Sequence, residues 1–156
     1  MGIKIIHEEG KYMDCTPLHG RWCNIDLVGQ DVGYAQVGII SSGKNHILFQ
    51  YLGRRGIVPK MYVKQIEEVR ISRRRLEKQG ELVVEPWDDS VDPYSLFLEK
   101  KCDIHVHQTR LFEASPGFFS AEILFVGQNT VRFKENSKEY TIRKNMICGM
   151  LECAEK

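Results

Sequence analysis

Long apolar runs are missing from this chain of 156 residues: none approaches the roughly 18 residues that a membrane-spanning helix needs. The opening M-G-I-K-I-I-H-E-E-G has no continuous apolar stretch, so no secretory leader is expected. None of the five cysteines (Cys15, Cys23, Cys102, Cys148, Cys153) belongs to a C-x-x-C pair, and the count is odd. The expectation is therefore reduced thiols in a cytoplasmic protein, not a disulfide framework. An excess of one charge is also lacking. Lys and Arg number 22 against 21 Asp and Glu, and a net charge of +1 singles out no partner. Absent too are G-x-S-x-G, a phosphate-binding P-loop, G-x-G-x-x-G after a strand, and H-E-x-x-H. The carboxylates fall in connecting segments and strand ends, not in an evident pair. No enzyme is expected, and no cofactor is implied.

What the chain does have is one motif written twice, 84 positions apart. Residues 39–49 are I-I-S-S-G-K-N-H-I-L-F and residues 123–133 are I-L-F-V-G-Q-N-T-V-R-F. Gly43 matches Gly127, Asn45 matches Asn129, Ile47 matches Val131, and Phe49 matches Phe133. A doubled strand–turn–strand unit predicts a mainly β protein made of two similar small domains. At roughly 65–75 residues, one core contributes only about 3–5 kcal/mol, so such a domain needs a neighbour, a metal or oligomerisation.

The first domain is expected over 1–69. It has short strands at 3–6 and 25–28 and a turn-rich stretch between them. Strands follow at Tyr34–Ser41 and His46–Leu52, then a hairpin at Gly53–Gly56 and one or two strands in 57–69. Residues 70–91 change character: Arg70, Arg73, Arg74, Arg75 and Lys78 precede Glu81, Glu85, Asp88 and Asp89. This is expected to be a charged linker with a helical turn at its start, since Pro86 rules out a continuous helix. The second domain is expected over 92–156. D-P-Y-S-L-F-L-E-K-K opens it as a short α-helix with an Asp N-cap and Pro at the first position, Leu96 and Phe97 facing inward. The strand I-H-V-H-Q, a loop at 111–117, and strands at Phe118–Val126, Thr130–Lys134, Glu139–Ile142 and Met146–Leu151 complete it.

Three segments, 92–101, A-E-I-L-F-V-G-Q-N-T-V-R-F (121–133) and Y-T-I-R-K-N-M-I (140–147), carry a resemblance. Together they resemble the Sm-like family, specifically its Hfq-like branch: a short capping helix, a bent strand pair, and a segment similar to the family's I-R-G-N-N-I. The likeness covers about 60 residues, and 25–69 repeat it more weakly without an obvious leading helix. It implies two tandem small SH3-like, Sm-like β-barrels, with a short α-helix before the second. It also implies homo-oligomeric rings closed through strand edges.

The function implied is binding of single-stranded RNA at the loops between strands. The positions implicated are Gln128, Asn129, Arg143, Lys144 and Asn145 in the second copy, and Lys44, Asn45, Tyr62 and Lys64 in the first. Amides read base edges and cations neutralise phosphate. Gly43 and Gly127 stand where the family carries Asp, and Asn45 and Asn129 where it carries an aromatic or His. A stacking platform is worth roughly 1–3 kcal/mol per base, so this departure supports a second reading. In it, the chain is a non-enzymatic, oligomeric protein-interaction module that has lost base stacking.

Other groups carry less. R-I-S-R-R-R (70–75) could attract nucleic acid, but a linker held by the acidic run after it is the favoured reading. Arg70 and Arg74 also fit the R-x-x-x-R opening of cyclic-di-GMP-binding PilZ domains, without the glycine that closes that family's second motif. Arg54 and Arg55 mark a soluble hairpin. Cys15, His19 and Cys23 are potential zinc ligands at a non-standard spacing, and His105 with His107 lacks a clear third ligand, so no metal is expected. Phe118 and Phe119 are adjacent in a strand, so one ring points in and one out.

Overall fold

The computed structural model describes residues 2–28, 33–107 and 117–154. Among them the protein is mainly β, with antiparallel pairing throughout and one α-helix. The chain divides into two compact units, Met1–Asp89 and Ser90–Lys156. The charged stretch up to Asp89 therefore belongs with the first unit. Among the described residues, no helix is long and apolar enough to cross a membrane.

The first unit contains β1 (Lys4–Ile6), β2 (Trp22–Leu27), β3 (Gly33–Ser42), β4 (His46–Tyr51), β5 (Arg54–Pro59) and β6 (Val63–Glu68). Their spatial order is β1-β6-β2-β3-β4-β5. Alternation of apolar and polar residues sets the inward face. This holds in β2, where Cys23, Ile25 and Leu27 are buried, whereas Val37–Ser41 of β3 and Ile47–Phe49 of β4 are buried continuously. The hairpin expected at Gly53–Gly56 turns one residue earlier. Leu52 and Gly53 take the left-handed conformation (φ 48° and 76°), and Arg54 to Gly56 already lie in β5. A 3-10 turn, Thr16–Leu18, precedes β2, and another, Lys60–Tyr62, joins β5 to β6. α1 (Arg73–Gln79) starts at Ser72, whose side chain accepts the Arg75 N–H, and ends at Gly80 with φ 79°.

The second unit contains β7 (Lys101–Val106), β8 (Gly117–Val126), β9 (Thr130–Glu135), β10 (Lys138–Arg143) and β11 (Ile147–Glu152), in the order β11-β7-β8-β9-β10. Each series is open, its end strands unpaired with one another among the described residues. The helix expected at 92–101 is a 3-10 turn, Pro93–Phe97, capped as expected by the Asp92 carboxylate, which accepts the Tyr94 N–H at 2.9 Å. Three-residue periodicity changes the inward pair. Tyr94 and Phe97 are buried, whereas Leu96 is exposed, correcting the Leu96–Phe97 assignment. The loop expected at 111–117 lies outside the described residues apart from Gly117, which is in β8.

The duplication extends well beyond the doubled motif. From β3 to β6 every element recurs in β8 to β11 with the 84-residue offset, including the 3-10 turns at 60–62 and 144–146. β-bulges recur at Ile39/Ser41 and Ile123/Phe125. Left-handed residues recur at Gln36 (φ 55°) and Ser120 (φ 52°). The ring pair Tyr34–Phe49, 4.8 Å between centroids, recurs as Phe118–Phe133 at 4.7 Å. Asn24 Oδ1 accepts the Gln36 N–H at 2.8 Å, and Asp103 Oδ1 accepts the Ser120 N–H at 3.0 Å. A bulge re-aims a strand by one residue, so matched bulges require matched strand paths. β1 and α1 have no counterpart among the described residues of the second unit.

Candidate nucleic-acid interface

In each unit two turns distant in sequence are joined by one backbone bond. The β8–β9 turn closes through the Gly127 N–H on the Thr130 carbonyl at 2.8 Å. The Lys144 N–H then donates to the Asn129 carbonyl at 2.8 Å and ties the β10–β11 turn to it. The first unit repeats this with Gly43 N–H on His46 O (2.9 Å) and Lys60 N–H on Asn45 O (2.8 Å). We call each pair of tied turns a loop junction.

The second junction brings together the residues expected there. Gln128, Asn129, Arg143 and Asn145 are exposed, while Lys144 is half-buried. The Lys144 ammonium is engaged inside the unit: it bonds the Asp92 carboxylate and the Gln128 carbonyl (3.0 Å) and lies 5.5 Å from the centroid of the Tyr94 ring. It ties the capped turn to the junction.

In the first junction the 84-residue register places Pro59, Lys60 and Met61, not Tyr62 to Lys64, opposite Arg143, Lys144 and Asn145. Lys44 and Asn45 are exposed at the turn, and Tyr62 ends the 3-10 segment. Lys64 is exposed within β6, beyond the turn. Lys60, absent from the sequence expectation, is only 4% exposed. Its ammonium donates to the Met13 carbonyl at 2.6 Å and lies 4.5 Å from the Tyr12 ring. The signal for it was available in sequence, as the lysine 84 positions before Lys144.

Two aromatic residues near the junctions also escaped the sequence reading. Phe125, at the β8 bulge, is 55% exposed with the Arg132 guanidinium 5.8 Å from its ring centroid. Trp87 packs against Gly43. Phe118 points inward onto Phe133 and Tyr140, and Phe119 outward at 64% exposure, as strand alternation predicts.

Cys15 and Cys23 are buried in the first core, and His19 Nε2 shares a 2.7 Å hydrogen bond with Ser42 Oγ. Among the described residues no three His, Cys, Asp or Glu side chains are grouped to hold a metal. Burial pushes the Cys15 thiol up to about 11 and those of Cys23 and Cys102 to about 12. Cys148 is buried as well. Cys153 lines an open cleft with Lys100, Lys101, Ser120 and Glu152. Alkylation of the native protein at pH 8 is therefore expected to label Cys153 alone, against all five thiols in denaturant. Mass spectrometry counts the labels. Fast native labelling of Cys23 or Cys102 would contradict their placement in the core.

No family model, curated protein or solved structure matches this chain.

Proposed function

We propose that the chain is a tandem Sm-like protein, each unit a small, strongly bent barrel, and that its second loop junction binds single-stranded RNA. Gln128 and Asn129 read base edges, Arg143 neutralises phosphate, and Asn145 lies beside them. Lys144 acts as a positioning residue through Asp92 and the Gln128 carbonyl. The observation that carries this reading is the junction itself: one backbone bond draws two turns together, and Gln128, Asn129, Arg143 and Asn145 are exposed on them. Tied turns hold these groups in place before a ligand arrives, which lowers the ordering cost of binding.

Homo-oligomeric assembly through strand edges belongs to the same reading. β10 ends the strand series of the second unit, whereas β1 covers one edge of β6 in the first. A long edge strand is a template for pairing with another chain.

A second reading is favoured by Phe119 and Phe125, both more than half exposed. Apolar rings at the surface fit a protein-interaction module. Purification without nuclease, followed by the ratio of absorbance at 260 and 280 nm and the mass in solution, separates the two. Nucleic acid that leaves at high salt supports RNA binding; an oligomer with no affinity for an RNA pool supports the module.

For the residues, Arg143→Ala is expected to reduce the slope of log K against log salt by about one phosphate contact, roughly 0.7 for a single strand. Fluorescence anisotropy of a labelled RNA pool at several salt concentrations measures it. An unchanged slope would remove Arg143 from the interface.

A further inference from the structure

The two junctions differ in what fills the space beside the turn glycine. A Cβ built on Gly127 would meet Thr130 Oγ1 at 3.2 Å and the Phe125 ring at 3.4 Å, both within its own hairpin. On Gly43 it would stand 1.9 Å from Trp87 Nε1 and 2.5 Å from Asp89 Oδ1. Here the space is taken by the chain's own segment after α1. One carboxylate oxygen, Asp89 Oδ1, accepts both the Lys44 N–H at 3.0 Å and the Trp87 indole N–H at 2.8 Å.

Residues 80–89 reach this point as a strap laid across β3 to β5. Leu82 packs on Gly38, Val84 on Gly20, and the Glu85 N–H donates to the Ile40 carbonyl at 3.2 Å. Glu85 also pairs with Arg55 at 2.6 Å. At its root Gln79 is fully buried. It donates to the Gln36 carbonyl at 2.7 Å and accepts the Leu52 N–H at 2.6 Å. The far end is held more lightly, by half-exposed Trp87 and exposed Asp89.

We propose that the first junction is a second RNA site which the chain keeps occupied with its own Trp87 and Asp89. The indole ring takes the place of a base, and the Asp89 carboxylate takes the place of a phosphate at the Lys44 N–H. This inference rests on the reading that a loop junction takes RNA. A tethered occupant competes at an effective concentration of about millimolar order. The wild-type chain therefore binds RNA at the second junction alone, and release of the strap's end adds the first.

Two independent substitutions release that end. Trp87→Ala with Asp89→Ala removes the occupant and leaves the loop intact. Gly43→Ala keeps the strap residues and wedges a methyl group into their space; the Gly43 φ lies outside the left-handed region, so the backbone accepts alanine. The probe is a labelled hexauridylate or hexaadenylate titrated at protein concentrations well above the dissociation constant, with stoichiometry also counted by native mass spectrometry. The expected result is one RNA per wild-type chain, two per chain in both variants, and a return to one when Lys44→Pro, which deletes the N–H, is added. One RNA in wild type and still one in both variants overturns the self-occupied site while leaving the second junction standing. None in wild type but one in both variants supports the first site and removes the second. No binding by any of them overturns both.

Discussion

Phe133→Ala is expected to unfold the second unit. Phe133 is fully buried, with the Phe118 ring 4.7 Å and the Tyr140 ring 5.5 Å from its own. Removing a core phenylalanine costs about 3–5 kcal/mol, because lost burial is joined by a cavity that neighbours on fixed strands fill only in part. A core of this size supplies about the same amount in total. Phe133 also bridges strands, being opposite Ile123 on β8 and Tyr140 on β10, so its loss loosens both pairings together. Amide hydrogen exchange resolved by segment should show protection across 117–152 falling towards the unfolded level. Phe133→Leu, which keeps most of the volume, should retain it. Persisting protection in the alanine variant would contradict the central place given to this ring.

Gln79→Ala has the next largest expected effect, and a different outcome. The side chain satisfies the Gln36 carbonyl and the Leu52 N–H, while the Gln79 backbone carbonyl, which the substitution keeps, accepts from Gln50 Nε2 at 2.9 Å. Leaving buried polar groups without partners costs about 1–3 kcal/mol each. Detachment of the strap admits water to them, so the lost bonds appear as strap opening and not as unfolding of the strands. A shift of about 2 kcal/mol multiplies the open population roughly 30-fold. A glutamate-specific protease should therefore cut after Glu81 about 30 times faster, provided opening is fast relative to cleavage; the bond after Glu85 is protected by Pro86. Unchanged cleavage would show that the root of the strap lies elsewhere. In the setting of the self-occupied site, this variant should also gain the second RNA.

Much of the fold was legible because the side-chain period of a strand is two and its interruptions are chemical. Cys23, Ile25 and Leu27 are buried and alternate with the more exposed Asn24 and Asp26, and Gly43, Gly53 and Asn136–Ser137 mark turns. The doubled G-x-N gave the offset that the whole β3–β6 block obeys. Less legible was the kind of helix at 93–97. Proline with an Asp cap starts an α-helix and a 3-10 turn equally well, and the difference lies in whether Tyr94 or Leu96 goes inward. The first unit's matching turn was missed because Thr16-Pro17-Leu18 is only three residues long. At the junctions, the sequence pointed to Gln128, Asn129, Arg143 and Asn145 but misplaced their partners in the first copy. Pairing 62–64 with 143–145 ignored the 84-residue register.

The sequence by itself determined that the chain is mainly β, that it contains a repeat, and that the repeat centres on glycine–asparagine turns between apolar strands. These follow from local chemistry, from side-chain alternation and backbone freedom, which neighbours in sequence decide. Only the tertiary structure decided that two turns meet at each junction, that Lys60 and Lys144 are spent inside their own units, and that Trp87 and Asp89 lie on the first junction. Trp87 is 44 residues from Gly43. No local pattern reveals that an indole and a carboxylate so far along the chain fill the space a glycine leaves, because that depends on where the strap folds back.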